Sequence, residues 1–88
     1  MKMIVAILKD EDRENVSLAL IKSDFRVTRI ASTGGFLRRG STTLMIGVAD
    51  EKLREAVQII RDNCTPSTEN GVKSATLFVI NISHFEQI

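Results

Sequence analysis

The residues with the most chemical potential lie in one stretch, Thr33–Thr43, which reads Thr-Gly-Gly-Phe-Leu-Arg-Arg-Gly-Ser-Thr-Thr. Gly34, Gly35 and Gly40 permit positive backbone φ and leave no Cβ between the chain and a ligand. Arg38 and Arg39 offer planar forks of donors that match phosphate or carboxylate. The backbone N–H groups of such a turn can also cradle an anion. Phe36 and Leu37 sit inside this polar loop, where solubility alone does not place them. An aromatic ring beside phosphate-type donors points to a nucleotide, with the ring stacked on a base. The plainer reading is a hairpin turn whose Phe36-Leu37 pair packs on its own chain. Upstream, Arg26 and Thr28 share one face of a strand that leads into the loop. Taken alone, a strand arginine is a solvated side chain; beside this loop it becomes a second candidate donor.

Other chemistries find little support. The one histidine, His84, reads as a surface residue near the chain's end, and the one cysteine, Cys64, reads as an inert thiol on an apolar helix stripe. Neither a Cys/His metal spacing nor an internal disulfide can be built from them. Asp10 and Asp12 stand at a helix start, where capping accounts for them without acid–base catalysis. The glycine loop lacks the Gly-Lys-Ser/Thr ending of a P-loop and does not follow the first strand. The chain therefore reads as a binding protein rather than an enzyme. Its 88 residues form a single domain spanning 1–88, and the hydrophobic share of 43% is that of a globular protein. No apolar run approaches the ~20 residues that cross a bilayer. The apolar start through Leu8 is too short for a signal peptide, so the expected location is cytoplasmic.

Charge is unevenly placed. Lys22, Arg26, Arg29, Arg38 and Arg39 face Asp24 alone, a local balance of +4 within a chain of net +1. That asymmetry can attract an anion, while the broad basic face of a nucleic-acid binder is missing.

The elements that would position these residues follow from periodicity. Met3–Leu8 is a β-branched apolar run and reads as a buried strand. Lys9-Asp10-Glu11-Asp12 supplies N-caps for a helix from Arg13 to about Ser23, with a stripe at Val16, Ala19, Leu20 and Ser23 widened by Leu18 and Ile21. Phe25–Ser32 alternates imperfectly and predicts an antiparallel strand twisted or shifted by a bulge. The turn Thr33–Ser41 returns to a strand over Thr42–Ala49, in which Gly47 marks a bulge or a close backbone approach. Asp50 caps a second helix with a stripe at Leu53, Ala56, Val57, Ile60 and Cys64, which must stop near Pro66. Thr65–Ser74 is a polar connection, and Ala75–Ile82 is a last strand with Thr76, Phe78, Ile80 and Ile82 on one face. The order strand, helix, strand, strand, helix, strand predicts an α+β, ferredoxin-like βαββαβ sandwich: a four-stranded antiparallel sheet with two helices on one face. The other sheet face also carries apolar groups and needs a cover, most simply another copy of the chain.

Met1-Lys2-Met3-Ile4, Phe25-Arg26-Val27-Thr28 and above all Thr33–Thr43 resemble the PstA-type branch of the PII-like signalling proteins, a family of cyclic-di-AMP receptors. Ala75–Ile80 and Phe85-Glu86-Gln87 resemble its last strand and tail, so the likeness covers nearly the whole chain. It implies a ferredoxin-like subunit and a homotrimer with nucleotide sites in the clefts between subunits. With the residue reading above, no cofactor, no metal, no nucleic acid and no membrane insertion are expected, and the downstream protein is unknown. By position, Arg26 and Thr28 would contact the cyclic dinucleotide from the strand. Phe36 and Leu37 would line the base pocket, Ser41 would lie at the loop's end, and Gly47 would allow close approach. Phe78 and Gln87 would complete the site, with Asp24, Gly35 and Arg38 adjoining it. Two features depart from the family pattern. Asp24 and Ser41 stand where asparagine is usual, and the connection at Thr65–Ser74 is short where the family carries a long, flexible loop. A trimeric interaction module without a ligand, or a binder of another adenine nucleotide, are the alternatives.

Overall fold

The computed structural model describes residues 1–30, 40–66, 74–84, 86 and 88. Four strands, β1 (Lys2–Lys9), β2 (Arg26–Ile30), β3 (Ser41–Val48) and β4 (Ala75–Asn81), form one sheet in the order β2-β3-β1-β4. Every pairing is antiparallel. Helices α1 (Arg13–Lys22) and α2 (Leu53–Asp62) follow β1 and β3, giving the βαββαβ order of a ferredoxin-like sandwich.

Strand parity decides what is buried. Ile4, Ala6 and Leu8 of β1 and Leu44, Ile46 and Val48 of β3 all point to the helices. There they meet Val16 and Leu20 of α1 and Ala56 and Ile60 of α2 in one core. Burying each large aliphatic side chain in this layer contributes about 1.5–3 kcal/mol. The stripe on α1 is narrower than its sequence suggests: Leu18 and Ile21 are half exposed, and Ser23 is exposed. On α2, Leu53 and Val57 do pack against the core that holds Ala56 and Ile60, whereas Cys64, expected on the same helical stripe, lies two residues past the helix's end at Asp62 and packs there from the exit turn.

Both helices begin in a 3₁₀ turn rather than at a side-chain cap. Asp10–Asp12 precedes α1 and Asp50–Lys52 precedes α2, and neither helix start carries a side-chain capping bond. The acids expected as caps do other work. Asp10 accepts a hydrogen bond from Thr42 Oγ1, and its N–H donates to Gly40 O at 2.8 Å, tying the end of β1 to the start of β3. Asp12, 1% exposed, accepts from Thr65 N–H at 3.1 Å and from Thr65 Oγ1 at 2.5 Å. It thereby joins the start of α1 to the exit of α2. Asp50 Oδ1 lies 3.1 Å from the amino group of Met1.

Of the alternatives that the sequence left open for the second and third strands, a bulge is not found among the paired residues. Arg26 to Ile30 pair with Gly47 to Thr43 in unbroken register, and β1 pairs with β3 from Lys2↔Val48 to Lys9↔Ser41. The imperfect alternation of β2 has a simpler cause. It is an edge strand, so Arg29 on the helix side of the sheet remains exposed beyond the rim of the core.

Candidate functional site

The site begins with the stop signal of α1. Asp24 N–H donates to Ile21 O at 3.0 Å and Phe25 N–H to Leu20 O at 3.0 Å, while Asp24 adopts φ 67°. This left-handed stop satisfies the last carbonyls of the helix and turns the chain sharply into β2. Phe25 enters the core against Leu20, so the strand starts one residue later than its sequence suggests. Arg26 and Thr28 then fall on the sheet face that the helices leave open.

Register places their neighbours. On that open face one row runs Arg26, Gly47, Met3, Ile80 across the four strands, and the next runs Thr28, Met45, Val5, Phe78. The ladder extends by one bond, from Ile82 N–H to Met1 O at 3.0 Å, which adds Met1 and Ile82 at the same corner. Together these rows form a concavity of about 350 Å³ lined by Asp24, Arg26, Thr28, Gly47, the methionines at 1, 3 and 45, and Ile82. That volume lies within the ~300–1,000 Å³ of ligand pockets. The floor is apolar, and a cation, a hydroxyl and a carboxylate stand at its β2 side.

Gly47 lies in regular sheet at the floor of the concavity. A Cβ added there would stand 3.2 Å from Met1 Cε, the tip of a flexible side chain. At the other end of β3, Gly40 at φ 84° provides the left-handed turn by which the chain enters the strand.

Four of the residues singled out from the sequence, Asp24, Arg26, Thr28 and Gly47, meet in this one concavity. Ser41 does not join them. It opposes Lys9 at the far end of β3, six residues from Gly47, or about 20 Å along a strand. Phe78 shares the row of Thr28 but sits on the opposite edge of the sheet, three strand spacings away, or about 14 Å. It is 54% exposed. Phe36, Leu37, Gly35, Arg38 and Gln87 lie outside the described residues.

Met1, Met3, Met45 and Ile82 also line the concavity and were not among the residues that the sequence singled out. The available signal was parity: Met3, Met45 and Gly47 share a face once the register is known, but apolar strand residues look like core in a bare sequence.

Elsewhere the chemistry is quiet. Burial, and then the nearby Asp12 carboxylate, push the Cys64 thiol above its ordinary pKa, against a smaller lowering by Lys9. The protonated, unreactive form therefore dominates at neutral pH. His84 is exposed, with Nε2 3.2 Å from Glu86 Oε1. Among the described residues no group of three or more His, Cys, Asp or Glu is placed to hold a metal, and no helix is long and apolar enough to cross a membrane.

Comparison with known proteins gives the family and the fold. The model of the cyclic-di-AMP receptor family matches residues 1–71, and the chain belongs to that family. Among solved structures it is similar to a functionally unknown protein from Pediococcus pentosaceus ATCC 25745, with 32% identity and a TM-score of 0.80. That match covers 99% of this chain and 96% of the other.

Proposed function

We propose that the protein is a non-enzymatic, cytoplasmic receptor of the PstA type that binds cyclic-di-AMP in clefts between the subunits of a homotrimer and needs no cofactor. The observation that carries this reading is the convergence of Arg26, Thr28 and Gly47 on one open concavity in a chain of the cyclic-di-AMP receptor family. Arg26 offers a charge-assisted fork to a phosphate, and Thr28 adds a hydroxyl. The apolar floor suits a heterocycle. The carboxylate oxygens of Asp24 can take a hydrogen bond from an adenine amino group.

The position of Phe78 favours a site shared between copies. One chain carries Arg26 on edge strand β2 and Phe78 on edge strand β4, and Phe78 is not among the residues that line the concavity with Arg26. A head-to-tail cyclic arrangement sets the β2 edge of one copy beside the β4 edge of the next. It also covers the open apolar face, where Phe78 and Ile80 are about half exposed.

Calorimetric titration of cyclic-di-AMP into the protein and into Arg26→Ala tests the reading. Loss of one charge-assisted donor should weaken binding by ~1.5–3 kcal/mol, a drop of about 10–150-fold. Equal affinity for the two proteins would overturn it.

A further inference from the structure

All three methionines of the chain line the one concavity described above. None of the buried core side chains among the described residues is a methionine; that layer is built from isoleucine, leucine, valine, alanine and one phenylalanine. The adaptable thioethers stand on the open sheet face. They come from two neighbouring strands and the residue that precedes β1: Met3 pairs across to Gly47, Met45 pairs across to Val5, and Met1 accepts the ladder bond from Ile82. Three successive rows thus bring three sulfurs to one corner, beside Arg26 and Thr28.

Resting on the receptor reading, we propose that Met1, Met3 and Met45 form the platform that holds one purine ring of the bound cyclic dinucleotide. A thioether is polarisable, makes favourable contact with aromatic rings, and changes rotamer to fit an irregular shape. A ring on this floor lies against sulfur and methyl groups while the phosphate it carries reaches Arg26 on the adjoining strand. Gly47 gives the depth. With no side chain of its own, it leaves the space in which Met1 Cε rests, and that flexible tip can yield to a ligand. These methionines are specificity-determining contacts, and Met1 occupies the space above Gly47 until the ring arrives.

The test is NMR of protein labelled with ¹³C at the methionine methyls, titrated with cyclic-di-AMP alongside calorimetry. The platform predicts that the ε-methyl signals move upfield by ring current at saturation. Met3 and Met45 methyls should show nuclear Overhauser contacts to adenine H2 or H8. Met45→Leu, which preserves volume, should weaken binding roughly 2–10-fold at an unchanged melting temperature. Saturable heat without methyl–adenine contacts would overturn the platform and leave the receptor reading standing. Absence of both heat and methyl shifts would overturn the two together.

Discussion

Two variants, each lacking one half of the site, distinguish a cleft shared between copies from a pocket contained in one chain. Arg26→Ala removes the donor on β2, and Phe78→Ala removes the ring on β4, three strand spacings across the sheet and two residues along it, or about 16 Å away. The first should cost ~1.5–3 kcal/mol of binding, and the second ~1–3 kcal/mol if the ring stacks on a base. In trimers assembled from an equal mixture of the two chains, each cleft draws its β2 half from one copy and its β4 half from the next. Both halves are intact in about one quarter of the clefts under head-to-tail assembly. Calorimetry at ligand concentrations between the wild-type and variant dissociation constants would read that quarter directly. Sedimentation of each pure variant confirms that the assembly survives the loss of Phe78. If the site lay within one chain, every chain in the mixture would carry a defect and no tight sites would return. That result would refute the shared cleft.

Other outcomes follow from single residues. Asp24 holds φ 67°, which costs an L-residue about 1 kcal/mol, so Asp24→Gly should raise the melting temperature by a few degrees; a fall would contradict the left-handed stop. Asp12→Ala strands the Thr65 donors and opens a buried space, and should destabilise the fold by about 2–3 kcal/mol, measured by urea unfolding. Cys64 should react slowly with a disulfide reagent at neutral pH and faster as pH rises, because burial raises its pKa; rapid reaction at pH 7 would contradict its placement. The sign for stability follows. The folded thiol keeps its proton to higher pH than the unfolded one, so stability is full below the ordinary thiol pKa and declines as pH rises through the folded value.

The element order was legible because four strands and two helices announce themselves by two different periods. The caps were not. Asp10, Asp12 and Asp50 sit at helix starts in sequence, yet tertiary partners (Thr42, Thr65 and the amino group of Met1) hold their carboxylates instead. Periodicity also overstated the stripe of α1, since Leu18 and Ile21 satisfy helical spacing but lie past the edge of the sheet's cover. In the site, the grouping of Arg26 with Thr28 follows from strand parity alone. The distance from Thr28 to Phe78 depends on strand order, and the methionine corner depends on register. Neither is a local property of the sequence.

The central claim is most directly tested by isothermal titration of the purified protein with cyclic-di-AMP, with cyclic-di-GMP and ATP as comparison ligands. The account predicts selective, saturable binding of cyclic-di-AMP at one site per chain, with a matching rise in melting temperature. Absence of heat with every ligand, together with an unmoved melting temperature, would contradict it and leave a module that shares the family's fold without its ligand.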